Sequence, residues 1–286
     1  MMRTGHFTGP AARDRYRALY DAAVATLPPS TARDVGTTHG TVRVLTCEGA
    51  SGDPLVLLPG AGAPGLSWAP NVPSLRGLGT VHLVDPLGGP GASHQDVPIR
   101  DVADQARWLR ALLDGLDLPS FHLVGTSMGG RIAFELARRA PRGLRTLTLL
   151  EPANTFARLP LGTVVASVGA LPVAPARMRR RFLDRIGDGG ASGDDPVLQL
   201  IDAGMSGYAS AVPFPPLPSP ADVRAVAVPT LVLLGGRSTM LDAGRARERA
   251  GLLPRGTVEL WPDASHALPG EFPERVADRM TALVTS

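Results

Sequence analysis

"FHLVGTSMGGRIAFELARRAP", Phe121 to Pro141, is the stretch on which the fold turns. An apolar run suited to a strand leads into Gly125-Thr126-Ser127-Met128-Gly129, and an amphipathic helical pattern with Ile132, Phe134, Leu136 and Ala137 follows. A G-x-S-x-G pentapeptide alone says little in a chain with 33 glycines. Between a strand and a helix it makes mechanical sense. A turn that sharp lifts Ser127 above the strand ends, and small neighbours let strand and helix approach each other. The start of the helix then aims free N–H groups at the same spot, so the Met128 amide is placed to meet an oxyanion.

Outward from this stretch, short β-rich runs recur at Thr41–Cys47, Pro54–Leu58, Thr80–Val84, Arg145–Leu150, Thr230–Leu234 and Thr257–Trp261, besides Phe121–Val124. Runs such as "LVLL" are apolar at consecutive positions, which predicts strands buried on both faces, as in a parallel sheet covered by helices. Helical patterns span Asp101–Leu116, Met128–Arg139, Asp242–Leu253 and Pro273–Val284. The fold class is therefore α/β, a mostly parallel central sheet flanked by helices, with residues 1–286 as one domain. Residues 11–27 are expected to form a packing helix ahead of it. Between Pro152 and Val228 the strand rhythm stops, and the segment ends in "VPFPPLPSPADV". A structureless loop of that length is improbable in a compact domain, so residues 153–227 are expected to form a mostly helical cap over the strand ends.

Composition narrows the function. With 44% hydrophobic and 19% charged residues the chain has ample material for a large core. The formal charge of +3 comes with 29 basic residues that are all arginine, and the densest run, "RMRRR" at Arg177–Arg181, lacks interleaved aromatics and reads as a solvated helix face. No nucleic-acid partner is expected. Cys47 is the only cysteine, which rules out an internal disulfide and a thiol metal site. No continuous apolar segment suits a leader or a membrane span, so a cytoplasmic location and no membrane partner are expected. His82 and His122 fall in strand patterns and read as packed, whereas His6, His39 and His94 read as exposed.

Three further stretches carry a resemblance. "PGAGAPGLSW" (Pro59–Trp68) follows a strand, "VHLVDPLGGPGAS" contains a D-x-x-G-x-G-x-S turn beginning at Asp85, and "GTVELWPDASHALPGEFPERVADRMTALV" places His266 in a loop between a strand and the last helix. With the Ser127 turn, these make the chain resemble the α/β-hydrolase superfamily of the esterase, lipase and C–C hydrolase type from about Gly40 onward. The expected cap, which carries little of the resemblance, falls after the sixth strand, and the resemblance implies that Ser127 is the nucleophile. It also implies that His266 is the general base and that the Ala61 and Met128 amides form the oxyanion hole.

The same resemblance puts a carboxylate just after the seventh strand, within "VLLGGRSTMLDAG" (Val232–Gly244), where this chain has Ser238. Serine cannot carry the charge. Glu151 is the favoured substitute, because it ends the sixth strand in "TLTLLEPANTF" and some superfamily members keep the acid there. Asp242 is the alternative acid, with helix capping as its competing role. A site without a working acid is the third reading. If Glu151 serves, Ser238 is expected to be a bystander.

These parts imply a serine hydrolase that cleaves a carboxylic ester, thioester or lactone through an acyl-enzyme. No cofactor and no metal are called for, and the expected partner is a small, apolar acyl substrate. Phe156, Leu161, Val165, Met178, Phe182, Met205, Tyr208 and Phe214 are candidate lining residues. Acyl transfer, cyclisation or C–C cleavage with the same serine, and a non-catalytic ligand-binding role, are the rival readings.

Overall fold

The computed structural model describes residues 3–187 and 195–285. Among the described residues the main sheet has nine strands, eight of them on one continuous path: β1 (Ser30–Thr37), β2 (Gly40–Cys47), β3 (Leu55–Leu58), β4 (Val81–Val84), β5 (Phe121–Thr126), β6 (Leu144–Leu150), β7 (Thr230–Gly235) and β8 (Gly256–Trp261). They lie in the order β8-β7-β6-β5-β3-β4-β2-β1, and the two-residue strand His94–Gln95 also pairs with β2. The pairings from β4 through β8 are parallel, while β2 runs antiparallel to both β1 and β4.

Residues of the inner strands β3 and β7 alternate between two cores, which is why Leu55–Leu58 and Leu231–Leu234 are apolar at consecutive positions. Val56, Leu58, Val232 and Leu234 face one cluster with Trp108, Phe121 and Phe134. Leu55, Leu57, Leu231 and Leu233 face the other with Tyr16, Tyr20, Trp68 and Trp261. Helices α2 (Val102–Leu116) and α3 (Ser127–Ala137) cover the first face. α1 (Pro10–Val24) and the final helix, Pro273–Val284, cover the second. The Asp101 side chain accepts hydrogen bonds from the Ala103 and Asp104 amides and so caps α2.

Between β6 and β7 the chain forms α4 (Leu161–Ala166), α5 (Ala176–Ile186), α6 (Pro196–Gly207) and α7 (Pro220–Arg224), joined by irregular segments. Residues 188–194 of the expected cap lie outside the described residues. Tyr208–Ala209 pairs antiparallel with His6–Phe7, and Phe7 meets Tyr208 edge-on, so the N-terminal segment is fastened to this region. No helix among the described residues is long and apolar enough to cross a membrane.

Two expectations need correction, and one strand has no counterpart among them. His39 is buried, with Thr38 Oγ1 2.8 Å from Nδ1 and Asp104 3.4 Å from Nε2. The arginine run is not a uniformly solvated face: Arg179 turns inward and pairs with Asp202 at 2.6 Å. Ser30–Thr37, which carries little apolar pattern, is an edge strand.

Candidate active site

The turn from β5 into α3 holds Ser127 at φ +52°, a left-handed conformation that costs a non-glycine residue energy and persists only where its surroundings enforce it. The enforcement is visible at the neighbouring glycines. A Cβ on Gly129 would lie 2.3 Å from the Leu58 carbonyl oxygen, and one on Gly125 would lie 2.5 Å from that of Gly129. Strand, turn and helix can therefore close only without side chains at these positions. Gly60 rests against the serine side chain, with 3.3 Å between its ideal Cβ position and Ser127 Cβ. The Gly60–Ala61 peptide and the start of α3 thus flank Ser127, and Met128 sits in the first turn, where amides have no intrahelical acceptor.

Glu151 follows β6 with φ +49°, and its amide still donates to Leu233 O at 2.9 Å. Its carboxylate is fully buried. Oε1 accepts from the Gly235 amide at 2.6 Å, while Oε2 accepts from Ser238 Oγ at 2.5 Å and lies 3.0 Å from His266 Nδ1. A buried charge is tolerable when its lone pairs are satisfied in this way.

His266 comes from the loop after β8, which is braced by Glu271. Its carboxylate accepts from the Ser265 amide at 2.8 Å and from Ser265 Oγ at 2.5 Å. The Arg237 amide donates to Ala264 O at 2.9 Å, joining this loop to the one after β7. With Nδ1 turned to the carboxylate, Nε2 is the ring nitrogen left for proton transfer.

Asp242 is not brought to the imidazole. It is exposed, and it caps helix α8 (Ala243–Ala250) by accepting from the Arg245 amide at 3.0 Å. Asp263 pairs with Arg275 at 3.2 Å. Asp85 is buried and accepts from Tyr20 Oη, the Gly65 amide and the Ala92 amide at 2.7–2.8 Å, which ties its own turn to the loop beyond β3 and to α1. Burial pushes its carboxyl above the ordinary range, with these three donors opposing the shift. The expectation that Ser238 is a bystander fails: it shares an oxygen of Glu151 with the imidazole. The sequence hides this contact because the bond joins two loops that leave different strands, a relation no local pattern encodes.

Ser127, Met128, Ala61 and His266 all border one cleft of about 2420 Å³. That exceeds the roughly 300–1,000 Å³ of ordinary ligand pockets, so it is a trough larger than a single small acyl group. Among the expected lining residues, Phe182, Met205, Tyr208 and Phe214 border it. Phe156 instead packs in the core against Phe134, and Leu161 (79%), Val165 (67%) and Met178 (41%) are exposed.

A family model described as "Alpha/beta hydrolase family" matches residues 55–279. The chain is 27% identical over 280 residues to carboxylesterase YbfK of Bacillus subtilis (strain 168), covering 94% of this chain and 93% of that protein. It is also 27% identical over 259 residues to the uncharacterized carboxylesterase nap of the same strain, covering 86% of this chain and 84% of that protein. The crystal structure of carboxylesterase CesB (YbfK) from Bacillus subtilis superposes with a TM-score of 0.89 at 24% identity, over 96% of this chain and 98% of that one, a likeness of fold.

Proposed function

The chain belongs to the α/β-hydrolase family, and from that premise we propose that it is a serine carboxylesterase, with Ser127 as nucleophile, His266 as general base and Glu151 as the acid that orients it. The observation that carries this reading is the 3.0 Å contact between the buried Glu151 carboxylate and His266 Nδ1, made at the edge of the cleft that Ser127 borders. The relatives named as carboxylesterases support the same reaction class.

In this mechanism neutral His266 takes the proton as Ser127 Oγ attacks the ester carbonyl. The Ala61 and Met128 amides hold the oxyanion, and protonated His266 gives its proton to the departing alcohol. Water, deprotonated by the same imidazole, then attacks the acyl-enzyme and releases the acid with Ser127 restored. Ile132, Phe182, Leu183, Met205, Val212 and Phe214 give the cleft an apolar lining, which favours a hydrophobic acyl or alcohol group. The described residues between 153 and 227 act as the cap that supplies much of that lining.

A non-catalytic reading is motivated by serine at position 238. With Glu151 against the ring that motive lapses. The test is a hydrolysis screen of p-nitrophenyl esters over acyl length, with fluorophosphonate labelling and Ser127→Ala as the control. Turnover and labelling that both vanish in Ser127→Ala support the proposal, and folded protein with neither overturns it. Adding an alcohol acceptor separates hydrolysis from acyl transfer.

A further inference from the structure

Ser238 stands where the family's carboxylate is expected, yet it touches the acid that replaces it. We propose that Ser238 is a positioning residue, whose hydroxyl fixes the Glu151 carboxylate so that one chosen oxygen faces His266. The inference rests on Glu151 being the acid.

The geometry leaves the hydroxyl one direction for its proton. Ser238 Oγ accepts from the Met240 amide at 3.2 Å and lies 2.5 Å from Glu151 Oε2, which as a carboxylate oxygen can only accept. The Gly235 amide holds Oε1 at 2.6 Å. With both oxygens held, the carboxylate plane cannot rotate, and Oε2 stays toward Nδ1. Glutamate has one more rotatable bond than aspartate, so an acid moved to β6 as Glu151 has more freedom to remove, and the serine removes it. An aspartate kept at 238 would instead set a second negative charge beside a buried one.

The serine is itself anchored. Its amide donates to Gly235 O at 3.3 Å. Next to it, Thr239 accepts through its carbonyl from Thr163 Oγ1 in α4, and donates through Oγ1 to Arg185 O in α5 at 3.1 Å. The loop that orients the acid is therefore also the loop that holds α4 and α5. Those helices belong to the region proposed as the cap.

The experiment measures p-nitrophenyl butyrate hydrolysis from pH 5 to 9 for the unmodified protein and for Ser238→Ala, Ser238→Thr, Ser238→Val and Glu151→Gln, each checked by circular dichroism. Ser238→Ala is expected to lower kcat about 10-fold at unchanged KM, the scale of one hydrogen bond to a charged group. The acid limb of its kcat/KM profile should move to higher pH, because Oε2, with one donor fewer, attracts the imidazolium more strongly. A role confined to loop packing would not move that limb. Ser238→Thr keeps the hydroxyl and should stay within about threefold of the unmodified protein. If the alanine variant does not fold, the near-isosteric Thr and Val pair decides, with Val expected to behave as alanine would.

Unchanged kcat and pH profile in Ser238→Ala or Ser238→Val, with Glu151→Gln inactive, would overturn the role of Ser238 alone. Full activity in Glu151→Gln would instead overturn the assignment of the acid.

Discussion

The carbonyl oxygen of Ser127 accepts a hydrogen bond from the Ala153 amide at 3.0 Å. This bond fastens the turn after β5 to the turn after β6, and each of those turns contains a residue in the left-handed region, Ser127 at φ +52° and Glu151 at φ +49°. Ser127 and Glu151 are thereby held by two strained turns that brace each other. Strain of this kind, of order 1–3 kcal/mol per residue, persists where the fold over-determines it.

One consequence concerns stability. Ser127→Ala should abolish most turnover with little change in melting temperature, because the side chain borders a cleft and fills no core space. Ser127→Gly should be equally inactive yet melt about 2–4 °C higher than the alanine variant, since glycine relieves the left-handed backbone. Scanning calorimetry on the two variants checks this. Equal melting temperatures would show that the turn stores no strain worth relieving.

The elbow glycines predict the opposite effect. A Cβ at Gly129 would meet the Leu58 and Pro59 carbonyl oxygens at 2.3 and 2.4 Å, and backbone there cannot swing away. Gly129→Ala should therefore lower the melting temperature by at least about 5 °C and displace the Gly60–Ala61 peptide, with loss of activity. Gly270→Ala is the control, because nothing lies within 4 Å of its added carbon. Similar melting for the two variants would mean that close packing at the elbow is not needed.

Two histidines outside the site set a pH dependence of stability. Burial is the main cause that lowers the His82 and His122 imidazoles below their ordinary value, and each ring lies 2.9 Å from a threonine hydroxyl, Thr46 or Thr146. Above the unfolded-state value of about 6.5 neither state is protonated and this contribution to stability is complete. Below it the unfolded chain takes up protons that the folded protein refuses, so stability falls with pH toward the lowered folded values, by at most about 1.4 kcal/mol per pH unit for each ring. Melting temperature followed from pH 8 to 5 should decline below about 6.5. The double variant His82→Gln with His122→Gln should decline less steeply, and parallel curves would reject these rings as the cause.

How much of this is legible in the sequence varies with the range of the interaction concerned. β5, its turn and α3 are local and apolar, and they are readable within a residue or two. β1 escapes notice because an edge strand exposed along most of its length has no apolar alternation to betray it. Helix α8 ends at Ala250, short of the expected Leu253, and begins after Asp242, which is its cap. In the region after β6 the helical character is readable, but the direction of each side chain is not. Leu161 and Val165 point to solvent because α4 is short and packs through its other side. Glu151 is recognisable as lying at the carboxyl edge of the sheet. The hydroxyl that shares its oxygen is not, because their proximity is set by the β6–β7 pairing together with the fold of two loops.

The shared oxygen predicts that a carboxylate can be exchanged between positions 151 and 238. Glu151→Gln keeps the shape and removes the charge, and should lower kcat by roughly 10³ to 10⁴, by analogy with loss of the acid in other triads. Asp242→Asn should cost far less, since that carboxylate caps α8 and pairs with Arg245. Ser238→Asp alone would place two carboxylates around one imidazole, in a buried site with donors for one, and should reduce activity. Combined with Glu151→Gln the outcome should reverse. The aspartate would carry the charge at the position where the family expects it, and the side-chain amide introduced at position 151 could donate to it, inverting the present Ser238-to-Glu151 bond. The double variant should recover at least about 10-fold in kcat over Glu151→Gln alone, measured on the same ester at the same pH. A folded double variant no faster than Glu151→Gln would mean that a carboxylate at position 238 cannot reach His266, and that Glu151 alone is placed to orient it.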